Sequence, residues 1–557
     1  MITVQNNKSE FQIIPERWVK FFVILIFFIA FIARLNLIEN HKLPFGDNDG
    51  TNLEVGRNLL KGKGFVSERK WLYFRELPEA VFHPIYNRQP LVAVILAGCF
   101  KITGVSFMVG KYILLVAGLA SLWISYKLAR LWFSKDVAIF SSFIIAINPT
   151  QIWFSSSIDD QMFFQLFMFT ILFIYYKYDM YKKEVSFRNL YFLGLWIGLS
   201  YLSRNNGLLV MTAFGLDLLA RYLKPKYWKR LIVAGIVVWL GFITSAGWWM
   251  LRNYSEFGSP FYTRNTMALY NEDMFKTIWE VRDSPPSPEN FFKTHSTIDI
   301  IKRQIQGFYR IIEPFLMGNI FHHELFSQGN MVGFVLFAFL LLPTMKNFKR
   351  HRFLILISIM HLLSFAAHQH VFRYLMPFYI IVYILGTAGF LKAFKYVYNS
   401  RNILGIQLKN SKKIITTFVL IAFILLFPHI RPLRGIYQFD DTEEYEATMN
   451  VIKWLEKNVK KGDIIMEYRF LERMIYLYDI PTLIIPNNDF KTIMEVAREY
   501  RAKYFIIYHD VLRFRDGLAS KWYFKNGKII SQDLPEYMDL TYTDPSGSYL
   551  VYKLNWK

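Results

Sequence analysis

The stretch RWVKFFVILIFFIAFIARLNLIENHKLPFGDNDG, residues 17–50, holds the reading on which the fold turns. Its first part is an apolar run from 17 to 38, long enough to cross a hydrocarbon core that takes about 20 residues of helix. Its second part, Leu43-Pro44-Phe45-Gly46-Asp47-Asn48-Asp49-Gly50, sets two carboxylates at the exit of that run. Charge beside lipid is costly, so carboxylates kept there point to chemistry rather than to folding alone. A solvated Asx turn leading into a helix would account for them structurally, and the rest of the chain has to decide.

Composition places that chain in a membrane. Of 557 residues, 53% are hydrophobic, 18% aromatic and only 19% charged, a balance outside the soluble range. Lys and Arg number 65 against 43 acids, a net charge of +22. The excess falls in short loops between apolar runs, as the positive-inside rule requires, and so implies no nucleic acid partner. Cys99 is the single cysteine, which excludes an intramolecular disulfide framework and a thiolate metal site. The polar stretch ending Arg17-Trp18-Val19-Lys20 precedes a run too long for a cleavable signal and reads as a retained anchor.

Apolar spans read at 17–38, 109–131, 136–150, 160–177, 188–203, 206–222, 230–250, 331–345, 352–367, 373–391 and 413–430, about eleven in all. The loops Lys127–Lys135, Lys177–Arg188, Arg221–Arg230, Lys346–Arg352 and Lys392–Lys413 are basic and therefore cytoplasmic. Pro90–Thr103 is apolar but short, and only as an interfacial helix on the outer leaflet does it keep every loop on the side its charge requires. The N-terminus is then cytoplasmic and the C-terminus extracytoplasmic. The outer loops, chiefly 39–108 and 251–330, carry the polar residues that apolar packing does not explain, so these converge on one membrane face. The expected division is a transmembrane catalytic domain, 1–430, and an extracytoplasmic α/β domain, 431–557.

The tail has the pattern of a small α/β domain. Helices are expected at Thr442–Val459, which opens with acids, and at Phe490–Tyr500. Strands are expected at Asp463–Met466, Thr482–Ile485 and Tyr504–Tyr508. Trp522–Ile530 reads as a hairpin turning on Asn526-Gly527. With no glycine-rich phosphate loop, the tail is read as accessory.

Four further places collect polar residues at span ends. Asp159-Asp160 opens the span Gln161–Lys177, where an N-cap and a chemical role are compatible. Arg204-Asn205-Asn206 sits between two spans, where an arginine could simply snorkel. Trp248-Trp249-Met250-Leu251-Arg252-Asn253 ends a span in an interfacial aromatic belt followed by an Arg-Asn pair. His368-Gln369-His370-Val371-Phe372-Arg373 offers histidines as metal ligands, phosphate donors or interface groups, without the spacing of a metal site. Leu53–Leu60 is expected as an amphipathic helix on the outer leaflet, holding the carboxylates above the bundle.

A carboxylate with arginines at a membrane face suits sugar transfer from a lipid phosphate. Arginine pairs bidentately with a phosphate at headgroup depth. That phosphate leaves readily, while the acceptor hydroxyl needs a carboxylate to take its proton as it attacks C1. One base and no carboxylate nucleophile imply inversion. Candidate catalytic residues are Asp49, Asp47 and Asp160. Candidate donor-phosphate residues are Arg204, Arg252, Asn253, His370 and Arg373, and Asp159, Arg57, Asn206 and His368 are placed on the acceptor side or in support. A divalent metal stays open.

At these residues the chain resembles the GT-C membrane glycosyltransferases of the protein-O-mannosyltransferase and lipid A aminoarabinose transferase type. The acidic first outer loop is followed by Gly56–Phe65, similar to an ARNLL-x-GKGF stretch, and Arg88-Gln89-Pro90-Leu91 is similar to KPPL. Trp249–Pro260 is similar to WxxRNY-xx-xGxP and Arg373–Pro377 to RY-x-x-P. The resemblance implies a polyprenyl-phosphate-sugar donor, an extracytoplasmic acceptor, an outer-loop aspartate as base, and a variable C-terminal domain. Counting back from Gly56 aligns the family's Asp-Glu pair with Asn48-Asp49, so the base is Asp49 or, with a one-residue shift, Asp47. The tyrosine common a few residues later is replaced by Asn52 or Leu53. The tail lacks the Trp-Trp-Asp-Tyr-Gly signature of oligosaccharyltransferases, which speaks against en bloc transfer to asparagine. A transporter or flippase of lipid-linked sugars is the alternative, but it should show internal repeats and ionisable residues at mid-span.

Overall fold

The computed structural model describes residues 13–44, 47–70, 73, 81–270, 280–281, 286–317, 332–339, 348–368, 372–400, 402–403, 406–407, 441–468 and 480–556, with isolated positions at 419, 421–422 and 437. The chain is mostly helical up to residue 400. It opens with α1 (Glu16–Asn40) and α2 (Asp47–Leu60). Three two-residue strands follow, β1 (Val66–Ser67), β2 (Arg69–Lys70) and β3 (His83–Pro84). Next come α3 (Leu91–Thr103), α4 (Phe107–Trp132), α5 (Lys135–Ile147), α6 (Pro149–Phe154), α7 (Gln161–Lys177), α8 (Phe187–Ser203), α9 (Gly207–Arg221) and α10 (Trp228–Phe257). The helical part closes with α11 (Pro288–Thr294), α12 (Thr297–Met317), α13 (Val332–Phe339), α14 (Phe348–His368) and α15 (Met376–Ser400), then the short pair β4 (Asn402–Ile403) and β5 (Ile406–Gln407).

Among the described residues, five helices are long and apolar enough to cross a membrane: Glu16–Asn40, Phe107–Trp132, Pro225–Phe257, Phe348–Ala367 and Met376–Tyr398. Their outward faces are greasy. Phe21, Ile24, Phe28 and Ile32 on α1, and Ile232, Ile236, Leu240 and Leu251 on α10, are exposed, an arrangement suited to lipid rather than water. Most of the other expected spans form shorter helices, and 413–430 lies, apart from three isolated positions, outside the described residues. The span expected at 136–150 stops at Ile147, because Asn148 precedes a proline and adopts the extended conformation that such a residue prefers. Asn148 then caps α6, its Oδ1 accepting from the Gln151 N–H at 3.0 Å.

Close helix crossings are made by small residues. Where α8 meets α10, a Cβ on Gly194 would collide with the Val238 carbonyl, and one on Gly241 with the Tyr191 carbonyl. Only glycine lets the backbones approach so far. The segment 251–330, expected as an outer loop, contains α12, which lies against the end of α14. Gln304 donates to the Leu363 carbonyl at 2.8 Å, and Gly307 sits under the carbonyl of Ala366.

The α2 region differs from its expectation in a way that matters for the site. The helix begins at Asp47, not at Leu53, so the acidic residues form its first turn, where the helix dipole favours negative charge. It does not rest on the surface. Asn48, Asp49, Thr51, Asn52, Glu54, Arg57 and Asn58 are all buried, and Gly56 abuts Leu96 of α3.

The C-terminal part forms a strand-containing domain. Its elements are α16 (Thr442–Asn458), β6 (Ile464–Glu467), β7 (Thr482–Ile484), α17 (Phe490–Glu499), β8 (Ala502–Tyr508), β9 (Trp522–Lys525), β10 (Lys528–Ser531), β11 (Met538–Thr543) and β12 (Tyr549–Leu554). The six-stranded sheet runs β11-β12-β8-β6-β7-β2, with the β8, β6, β7 and β2 neighbours parallel. Met466, Leu483, Ile493, Phe505, Trp522 and Tyr552 fill its core. The expected hairpin is present as β9–β10, with positive φ at both Asn526 and Gly527, as a two-residue turn of this hand requires. The edge strand β2 belongs to the segment between α2 and α3, not to the tail.

The glycine crossing gives a direct test. Gly241→Leu should lower thermal stability in detergent, at a cost of about 1–3 kcal/mol for an overpacked contact. Gly235→Ala on the same helix, with open space at its Cβ, should leave the melting temperature unchanged or raise it slightly.

Candidate functional site

The site is built where the first turn of α2 meets the segment 155–160, between α6 and α7. Asp49 is buried, and its Oδ1 accepts from the Ser157 hydroxyl at 2.9 Å. Asn52 donates to the Ile158 carbonyl at 2.9 Å. Asn48 donates from Nδ2 to Asp159 Oδ2 at 2.5 Å. Two segments about 110 residues apart are thereby stitched together by side chains, which orients the carboxylates more firmly than a loop could.

Asp159 and Asp160 divide the roles that a single N-cap would have played. Asp159 Oδ1 accepts from the Gln161 N–H at 2.9 Å, so it, not Asp160, caps α7. Asp160 is ion-paired with Arg204, whose Nη1 also lies 3.4 Å from Asp159 Oδ1. Two buried carboxylates thus share one guanidinium. The Arg204 guanidinium lies 4.6 Å from the centre of the Tyr374 ring, within the turn at 372–375. The Gln161 side chain is buried, with neither its oxygen nor its nitrogen hydrogen-bonded. A buried amide left in that state is unusual and suits a position that meets a ligand.

A second set of loops closes over this end of the bundle. Gln89 is hydrogen-bonded to Asn205, and Asn205 donates to Thr263 Oγ1 at 3.0 Å. The Arg264 guanidinium stacks 4.1 Å from the Tyr86 ring centre, and the Arg264 backbone N–H donates to the Tyr86 carbonyl at 3.1 Å. Arg88 acts electrostatically on Asp160, and its buried Nε has no hydrogen-bond partner.

The expected site residues are thus separated into groups. Asp49, Asp159, Asp160 and Arg204 come together. Arg252 lies elsewhere: it donates to the carbonyls of Ile85 at 2.8 Å and Phe65 at 3.1 Å and to Asn253 Oδ1 at 3.0 Å. Those bonds fasten the segment between α2 and α3 to the end of α10, with Asn253 buried beside it. Arg57 is buried against Glu68, at 2.9 Å. Asn206 stands at the start of α9 without capping it through its side chain. The side chains of Asp47, His368, His370 and Arg373 lie outside the described residues. Among the described residues no three of His, Cys, Asp and Glu gather as a metal site would need. Ser157, Asn48, Gln161 and Arg88 were not expected as site residues; Asn48 and Arg88 carried a local signal, in the acidic loop and in Arg88-Gln89-Pro90-Leu91.

The comparisons agree with this architecture. Residues 83–249 match the family described as dolichyl-phosphate-mannose-protein mannosyltransferase. No curated protein matches the chain by sequence. Among solved structures, the Archaeoglobus fulgidus oligosaccharyltransferase in its apo form is similar at a TM-score of 0.59 and 14% identity, covering 89% of this chain and 70% of that one. ArnT from Cupriavidus metallidurans, bound to undecaprenyl phosphate, is similar at a TM-score of 0.53 and 13% identity, covering 97% and 98%. The Archaeoglobus fulgidus oligosaccharyltransferase AglB, in complex with an inhibitory peptide and a dolichol-phosphate, is similar at 0.56 and 13%, covering 93% and 75%. Along nearly its whole length the chain shares the fold of these two enzymes, and over residues 83–249 it matches the mannosyltransferase family.

Proposed function

We propose that the protein is an inverting glycosyltransferase that moves a single sugar from a polyprenyl phosphate to an extracytoplasmic acceptor. The observation that carries this reading is the meeting of Asp49 with the Asp159–Asp160–Arg204 group at one end of the helical bundle. The lipids named with two of the similar structures, undecaprenyl phosphate and a dolichol-phosphate, are sugar-free carriers of the kind such a transfer would release. In this reading about eleven spans form a catalytic domain over 1–430, and 431–557 forms an extracytoplasmic domain. The N-terminus is cytoplasmic, and the site opens at the outer face.

The chemistry follows from the groups present. Asp49, or Asp47 two residues before it, takes the proton of the acceptor hydroxyl. The oxygen then bonds to the sugar C1 as the bond from C1 to the phosphate oxygen breaks, with inversion, and the polyprenyl phosphate leaves carrying the electron pair. Arg204, with Arg88 near it, pairs with the phosphate, while Asp160 holds Arg204 in place until the donor arrives. Arg252 and Asn253 contribute by holding the outer loop over the site.

Asp49→Asn should reduce sugar transfer by about 100-fold or more, the usual contribution of a general base, while lipid-donor binding is retained. Transfer by Asp47→Asn, Asp49→Asn and the double variant at the parental rate would overturn the catalytic reading. Arg204→Ala should raise the KM for the lipid donor. Arg252→Ala should instead lower the melting temperature with a smaller change in KM, and the reverse ranking would return the phosphate role to Arg252.

A further inference from the structure

We infer that the C-terminal domain is a positioning element of the acidic helix α2, clamped to it at both ends by residues that the first outer loop lends to, or borrows from, that domain. The effect on rate rests on the transferase reading above; the clamp itself does not.

One clamp runs through β2. This two-residue strand pairs in parallel with β7, Arg69 opposite Thr482 and Lys70 opposite Leu483. The Thr482 N–H donates to the Glu68 carbonyl at 3.0 Å, and the Tyr73 hydroxyl to the Ile484 carbonyl at 2.5 Å. Lys70 stacks 4.3 Å from the ring centre of Tyr500. From β2 the connection passes straight to α2. Arg69 Nε and Nη2 both reach Glu54 Oε2 at 2.8 Å, and Nη2 also donates to Thr51 Oγ1 at 2.8 Å. Glu54 is fully buried, and its Oε1 accepts from the Glu68 N–H at 2.6 Å. On the next turn Arg57 reaches Glu68 Oε2, while Lys63 reaches Oε1 at 2.6 Å. A two-residue strand has little stability of its own, so β2 holds this register because both the domain and α2 grip it.

The other clamp is at Asp441, the residue before α16. Its carboxylate accepts from the backbone N–H groups of Lys42 at 3.1 Å and Leu43 at 3.0 Å, and lies 3.6 Å from His41 Nδ1. Burial raises its proton affinity, but the His41 contact and the two N–H groups outweigh that and hold it below the usual carboxylate range. These residues sit just ahead of Asp47. The chain on either side of Asp49 is therefore fixed by the C-terminal domain, so a load on that domain, such as acceptor binding, is transmitted to the carboxylate.

The test uses the full-length protein in lipid nanodiscs, with Arg69→Met, Arg69→Lys and the near-isosteric Asp441→Asn. Amide hydrogen exchange is measured over α2 and, as an internal reference, over α4, together with kcat and KM for the lipid donor. Losing a buried charged hydrogen bond should raise α2 exchange by about tenfold or more in Arg69→Met and Asp441→Asn, with α4 unaffected. Their kcat should fall by about tenfold with little change in KM, since a displaced base costs rate rather than binding, and Arg69→Lys should recover part of both. Parental α2 exchange in both Arg69→Met and Asp441→Asn would overturn the clamp. Loosened α2 in a protein that never transfers sugar, the parent included, would uphold the clamp and defeat the transferase reading instead. If Arg69→Met loses α4 protection as well, Asp441→Asn alone decides.

Discussion

A charge buried among apolar helices must be partnered, because the cost of leaving it alone exceeds most other single terms in folding. Breaking a buried ion pair by removing one member costs about 3–5 kcal/mol. The end of the bundle that holds α2 is organised by that requirement. Glu54, Arg57, Glu68 and Arg69 pair with one another, and Asp160 pairs with Arg204. Such groups add little to net stability compared with apolar side chains, yet they fix which segments meet and in what register. Here they bring α2, the segment 155–160 and the turn after α8 to one place.

The same requirement explains why the site rests on helix ends. Backbone groups at a helix terminus lack partners within the helix, and side chains such as Asp159 and Asn148 supply them. The first turn of α2 tolerates carboxylates because its dipole favours them. A site made of helix ends can be polar without breaking the apolar bundle beneath it. It also inherits that bundle's rigidity, which general-base chemistry needs if the carboxylate is to meet an acceptor hydroxyl at hydrogen-bond distance.

Arg204 and Arg252 show how far linear reading goes. Both follow a span, and both carry asparagine beside them. Nothing local separates them. Arg204 faces two carboxylates, whereas Arg252 is spent on the carbonyls of Phe65 and Ile85. The difference arises from loops remote in sequence, so no local pattern could report it. Likewise the Asp-Asp pair was legible as a helix start, but which carboxylate caps and which binds arginine depends on where Arg204 arrives.

The sequence by itself determined the membrane class, the acidic turn after the first span, the helices α16 and α17 and strands β6, β7 and β8 of the tail, and the Asn526-Gly527 hairpin, but not β11 and β12. Each is a local matter of apolar length, dipole, period or turn chemistry. Only the tertiary structure decided that α2 starts at Asp47 and is buried, that Ser157 and Asn48 hold the carboxylates, and that β2 completes the sheet of the C-terminal domain. A two-residue parallel strand has no period to detect, and a hydrogen bond across about 110 residues has no local cause. Those features exist because buried polar groups must find partners, and the partners are chosen by packing.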